Sequence, residues 1–203
     1  MKVTKRLPDL EVIGAGAVHP GGASVASLRH PLPAPVPEPL LSKPGEAVPV
    51  RRVPSGLDAL ARWQKEPRLR RASPLAHYLA EAVAQAVDGF EGAVLPASRI
   101  GFVTVMGVGA IVPSRRFFAD TLARGRRFAS PALFPETVYN SPASHVAAVH
   151  GFTTATATLM GDESAWADAL RLAQLWLARG TVGAVVVAAG EEYDASVGEA
   201  WHA

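Results

Sequence analysis

At 203 residues, with 49% hydrophobic and 19% charged residues and a formal net charge of +2, the chain has the make-up of one globular domain with its own core. No apolar run approaches the roughly 18 residues of a membrane-spanning helix, and the basic start Met1-Lys-Val-Thr-Lys-Arg6 runs into Pro8, Asp9 and Glu11 rather than a signal core, so a cytoplasmic protein is expected. The absence of cysteine excludes disulfides, thiolate metal ligands and cysteine nucleophiles.

In chain order, Leu10-Glu-Val-Ile-Gly-Ala-Gly-Ala-Val18 predicts a short strand whose glycines allow close backbone packing, ending in a turn at His19-Pro-Gly-Gly22. Prolines recur at 31, 33, 35, 37, 39, 44, 49 and 54, which rules out helix and predicts an extended, polyproline-like linker or strap over 31–54. Leu75, Tyr78, Leu79, Ala82, Val83, Ala86 and Val87 follow helical spacing behind Ser73 as cap and Pro74 at the first helical position, with Gly89 marking the end. Residues 99–106 read as a strand covered on both faces. A helix carrying Phe117, Phe118 and Leu122 is expected over about 114–124, an irregular passage over 130–142 and a short helical segment over 144–150.

The Thr-rich stretch 153–159 predicts a strand, followed after a sharp turn by a helix over 163–179. Trp166, Leu170, Ala173, Trp176 and Leu177 lie on one face of that helix and Gly180 closes it. Residues 182–189 compose a buried strand. Strands alternating with helices predict a layered α/β fold around a mostly parallel sheet.

Four passages carry a family likeness. They are Val12-Ile-Gly14-Ala-Gly16-Ala-Val18-His-Pro20-Gly-Gly22, then Arg99 through Met106-Gly107-Val-Gly109, then Ser130-Pro131 through Asn140-Ser-Pro-Ala143-Ser-His145-Val146, and Ala188-Ala-Gly190-Glu191. In this order, over about 180 residues, they resemble the N-terminal half of a β-ketoacyl synthase, a condensing enzyme of the thiolase fold. The resemblance implies a thiolase-like half-domain, with 1–203 forming one synthase-like N-terminal domain.

In the resembled family an active-site cysteine stands in a Thr-Ala-Cys segment, which is here Thr158-Leu159-Met160. A thioether has no proton to lose and cannot attack a carbonyl. The family's synthases also draw two histidines from their second half, whereas this sequence ends at Ala203 and His202 stands in no matching motif. The resemblance therefore implies a non-catalytic, chain-length-factor-like subunit. It would pair as a heterodimer with a full-length β-ketoacyl synthase in type II polyketide or fatty-acid biosynthesis, as in aryl polyene pathways. It further implies that Val108, Leu133, Phe134, Val138, Thr154, Thr156, Thr158 and Met160 lie at the partner interface or acyl tunnel. The same residues read equally well as ordinary core, with Met160 filling irregular apolar space.

Arginines cluster at 51–52, 68, 70–71, 115–116, 124 and 126–127. A solvated basic face is one reading; an acidic partner is the other. An acyl carrier protein docking at Arg124, Arg126 and Arg127 is the candidate. Nucleic acid is disfavoured because no stacking aromatics interleave with the arginines.

Ser164, after Asp162 and Glu163, is the candidate nucleophile of an alternative acyltransferase or hydrolase. Acidic residues in a helix's first turn explain the segment without chemistry, and no Gly-x-Ser-x-Gly elbow surrounds the serine. His145 and His150 are five apart, the wrong spacing for a zinc helix, and no metal site is expected. Gly14-x-Gly16 lacks the remaining features of a dinucleotide site, so no cofactor is expected. Glu191 and Glu192 read as an acid pair or as caps of the loop that follows.

Overall fold

A computed structural model describes residues 7–88 and 95–202. At its centre lie three parallel strands, β3 (Ile100–Met106), β4 (Ala155–Met160) and β5 (Ala184–Ala189), in the order β4-β3-β5. Every residue of β3 is buried, as its unbroken apolar run requires of a strand flanked on both edges and covered on both faces. Register places Thr104 beside Thr158 on one side and Ala188 on the other.

The pleat sends alternate side chains of β3 to opposite layers. Phe102 and Met106 pack with α2 (Pro74–Asp88) and α4 (Ser141–His150) in the larger core, around Leu75, Leu79, Val83, Val146 and Phe152. Val103 and Val105 pack on the other face against α5 (Ala165–Ala178). Here Ala165 and Ala169, one turn apart, bring the α5 backbone close to the sheet. The expected layered α/β arrangement is the one observed.

Helix α2 begins at Pro74 as expected, while Gly89, its expected end, lies outside the described residues. Helix α5 closes through Gly180 at φ +69, whose amide donates to Leu177 while Thr181 donates to Trp176, both at 3.0 Å. Two helices start earlier than the sequence suggested: α3 spans Ile111–Arg124 and α4 starts at Ser141. In both, a proline sits within the first turn, where its missing N–H costs nothing.

Four expectations are corrected. Residues 10–18 form no strand; the segment runs along α2 instead of joining a ladder. Its glycines serve that helix contact, since a Cβ on Gly14 or Gly16 would lie 1.9 Å from the carbonyl oxygen of Ala86 or Ala82. The proline-rich segment is extended but not polyproline-like. It contains an antiparallel ribbon of β1 (Val36–Pro39) and β2 (Ala47–Val50), with Pro37 opposite Pro49. Antiparallel pairs alternate between bonded and non-bonded positions, so prolines facing each other at a non-bonded pair leave the ladder intact. The ribbon's Leu40, Val48 and Val50 form a small core that receives Tyr193.

The third correction concerns α5, where Trp166 and Leu170 are exposed because the small alanines take the sheet-facing stripe. The fourth concerns β5, which is half-buried rather than buried, because it borders the three-stranded sheet. Helix α1 (Asp58–Lys65) and helix α6 (Ala195–His202) complete the α-helices of the described residues.

Candidate functional site

The three parallel strands end on the same side of the sheet, and their carboxyl ends build the candidate site. Beyond β3 lies Gly107-Val-Gly-Ala110, leading into α3; beyond β4 lies Gly161-Asp-Glu-Ser164, leading into α5; beyond β5 lies Gly190-Glu-Glu192. The Gly161 amide donates to the Met106 carbonyl at 3.1 Å and the Gly190 amide to the Val105 carbonyl at 3.3 Å, so both turns stay tied to the central strand.

The two glutamates after β5 organise this end of the molecule. Glu191 accepts hydrogen bonds from the successive amides of Gly107, Val108 (3.0 Å) and Gly109 (3.2 Å). Gly109 has φ +61 and faces the Tyr139 ring, a place only glycine fills without strain. Glu192 is buried and accepts from the Val112 amide at 3.0 Å, in the first turn of α3. Burial pushes its carboxyl above the usual range, offset in part by the Val112 amide. Ser73 Oγ and Glu192 Oε1 nevertheless close no hydrogen bond among the described residues, so Ser73 is not a side-chain cap for α2. The pair thus caps the loop after β3 and the start of α3, rather than the loop that follows it in sequence.

Met160 stands at the carboxyl end of β4 and is 39% exposed. Val108 is half-buried at the carboxyl end of β3. Thr156, Thr158 and Met160 alternate onto one face of β4, the face shared by Phe102, Thr104 and Met106. Thr158 Oγ1 lies 3.0 Å from Thr104 Oγ1, and Thr156 is exposed. Thr154 precedes the strand and donates to the Ser98 carbonyl, which sets it roughly 20 Å from Met160 along the chain direction. The outer edge of β4 pairs with no strand among the described residues.

Leu133, Phe134 and Val138 belong to a separate stretch around the 3₁₀ turn Phe134–Thr137, packed on α3 through a Phe117–Phe134 ring contact of 5.7 Å. Phe134 and Val138 are exposed and Leu133 is half-buried, so the core reading fails for the first two. Sequence reasoning missed the glutamate bonds to the 107–109 amides. It also missed the outward stripe of α3, where Phe118 and Leu122 are 64% and 71% exposed, beside Phe128 at 70%. Helical spacing alone signalled that stripe, and arginines surround it.

Among those arginines, Arg115 pairs with Asp194 at 3.2 Å and Arg124 with Asp120 at 3.0 Å. Arg126 and Arg127 occupy the short turn Arg126–Phe128 and pair with no acid among the described residues. The face is basic with an apolar centre.

Ser164 is exposed; its hydroxyl donates to Asp162 Oδ1 at 2.6 Å and its amide to the same oxygen at 2.9 Å. Those bonds hold the Asp162 carboxyl below the usual range. They form a turn that launches α5, and among the described residues no histidine bonds to the serine. His145 Nε2 instead donates to Glu136 at 2.9 Å, and Ser141 donates to the same carboxylate. His150 stacks on Phe152 and donates Nε2 to the Ala80 carbonyl at 3.0 Å. Among the described residues no three His, Asp or Glu side chains converge as metal ligands, and no helix is long and apolar enough to cross a membrane.

No protein-family model matches the sequence, and no curated protein matches it. Solved structures do. The ishigamide ketosynthase/chain length factor is 20% identical at a TM-score of 0.75, covering 94% of this chain and 55% of that one. A type II PKS acyl-carrier protein in complex with its ketosynthase bound to the hexaketide gives 20% identity and a TM-score of 0.71, over 92% of this chain and 51% of that one. A ketosynthase in complex with its chain length factor from Xenorhabdus doucetiae gives 14% and 0.51, over 87% and 64%. The chain spans about half the length of the first two. At these identities the likeness establishes the fold: a layered, thiolase-like α/β arrangement.

Proposed function

We propose that this chain, with its ketosynthase-like fold, is a non-catalytic, chain-length-factor-like partner of a β-ketoacyl synthase in type II polyketide or fatty-acid biosynthesis, aryl polyene synthesis included. The observation that carries the reading is Met160. It occupies the carboxyl end of β4, where the resembled synthases carry their nucleophile, in a sequence without cysteine. A thioether supports packing but not acyl transfer.

The edge of β4 that pairs with no described strand is the face offered to the synthase, and the exposed Phe134 and Val138 offer it a second, apolar contact. Open strand edges and exposed apolar side chains are both places where a second chain adds. Thr156, Thr158 and Met160 line that face, with Val108 nearer the end of the central strand. The arginines at 124, 126 and 127, around exposed Phe128, then serve as the docking surface for an acidic acyl carrier protein. Chain-length-factor and carrier-protein complexes among the similar folds support both assignments.

The test is co-expression with a ketosynthase from the same source, followed by size-exclusion chromatography. Co-elution is expected. Thr156→Lys, on the exposed edge, is expected to abolish co-elution while leaving the melting temperature of the isolated chain unchanged. Separate elution of the two parent proteins would overturn the reading.

A further inference from the structure

Helix α5 is apolar on nearly every side. Of its 14 residues, Ala165 to Ala178, only Asp168, Arg171 and Gln174 are polar. A helix of that composition belongs inside a protein, because a surface helix keeps one apolar stripe and turns its charged residues outward. Here only one side of it is inside. Ala165, Ala169 and Ala173 are buried, while Trp166, Ala167, Leu170 and Arg171 are exposed.

The layer that α5 builds is also the thinner of the two. The opposite face of the sheet packs against two helices, α2 and α4, and Phe102, Met106, Val83 and Val146 between them are all but inaccessible. On this face α5 is the helix that packs on the three strands. Leu159, Val185 and Val187 of the sheet stay only partly buried, as do Leu172 and Trp176 of the helix.

The charges of the exposed face indicate what covers it. Gln174, toward the end of α5, is taken by the N-terminal segment, since its side-chain amide donates to the Pro8 carbonyl at 3.0 Å. The open part is therefore the first half of the helix. There Asp168 and Arg171, three residues apart and both exposed, are neighbours on the helix surface and form no ion pair among the described residues. A face with one acid and one base suits neither a strongly acidic nor a strongly basic partner. It suits itself. Two such helices packed antiparallel about a two-fold axis near residue 170 set Asp168 of each copy beside Arg171 of the other, so the ion pair forms twice. A parallel pair would set like charges side by side. The same axis runs Trp166 and Leu170 of both copies along one seam, and the small Ala167 lets the two backbones approach.

We propose that the outer face of α5 is a self-association surface, on which a second copy of this chain packs through its own α5, antiparallel and two-fold related. The apolar seam supplies the attraction, and the crossed Asp168–Arg171 pairs set the orientation. This surface is a different one from the β4 edge, so the proposal stands whether or not the chain pairs with a synthase.

Sedimentation equilibrium of the purified chain, from micromolar to hundreds of micromolar, tests this. A monomer–dimer equilibrium is expected. Leu170→Lys is expected to leave only monomer, with the melting temperature of the monomer unchanged, because Leu170 is exposed in a single copy. Asp168→Arg or Arg171→Asp alone is expected to weaken the dimer about tenfold, since each sets like charges opposite one another twice. The double variant, Asp168→Arg with Arg171→Asp, is expected to recover the parent's affinity, and this rescue decides the matter even where Leu170→Lys unfolds. Thr156→Lys, on the β4 edge, is expected to leave the dimer intact. A chain that stays monomeric at the highest concentration overturns the proposal. A dimer that survives Leu170→Lys, or that Thr156→Lys dissolves, uses another face and overturns it too, as does a double variant no tighter than the single ones.

Discussion

The carboxylate of Glu191, just past the end of β5, accepts the amide hydrogen of Val108, just past the end of β3, at 3.0 Å. With the flanking amides of Gly107 and Gly109 it fills a concave set of three N–H donors, an anion-binding shape closed by the protein's own side chain. Glu191→Ala is expected to destabilise the chain by about 1–2 kcal/mol, because the freed amides are near solvent and regain water. Glu191→Gln, which keeps one acceptor oxygen, is expected to lose less. Urea unfolding measures both, and faster hydrogen exchange confined to 107–109 in Glu191→Ala ties the loss to this contact.

Gly14→Ala is expected to cost about 1–3 kcal/mol, the usual penalty for forcing an extra carbon into a packed contact. The added Cβ would meet a helix backbone oxygen at 1.9 Å, and backbone yields less readily than a side chain. A melting temperature equal to the parent's would contradict the placement of the 10–18 segment on α2.

Stability is expected to fall as pH drops below His150's ordinary value of 6.5. Burial beside Trp63 and Phe152 pushes the ring's folded-state pKa down, against the pull of the Ala80 carbonyl. The neutral ring's contribution is therefore complete above 6.5 and is lost as pH falls toward the lower folded value. His77, also lowered by burial, acts in the same direction. Glu192 acts oppositely: its raised pKa gives a contribution present at low pH and lost as pH rises through the folded value. Comparing His150→Phe with the parent cancels both. The variant's urea midpoint is expected to change less between about pH 7.5 and about pH 5.5.

Met160→Cys is expected to leave the isolated chain without decarboxylation or condensation activity, since the histidines of helix α4 are already bonded elsewhere and do not serve a thiol at the end of β4. His145 is committed to Glu136 and His150 to the Ala80 carbonyl. Product formation from malonyl and acyl carrier protein by the variant alone, followed by mass spectrometry, would contradict this.

Helices α2 and α5 and the central strand β3 were legible because each carries its own punctuation: Pro74, Gly180, and an apolar run that only a doubly covered strand tolerates. Residues 10–18 were misread because glycine near valine and isoleucine suits both a strand and a backbone pressed on a helix. Only the neighbour decides, and the neighbour is α2. The hairpin within 31–54 was hidden because proline forbids helix without choosing among extended partners.

By itself the sequence determined the alternation of strands and helices, the parallel sheet it implies, and the presence of a thioether at 160, because periodicity and side-chain chemistry are local properties. The tertiary structure decided which faces meet. It turned Glu191 and Glu192 back onto the amides after β3 and at the start of α3, and left β4, Phe134 and Trp166 open. Those are contacts across eighty residues or more, or faces left uncovered, and no local pattern encodes them.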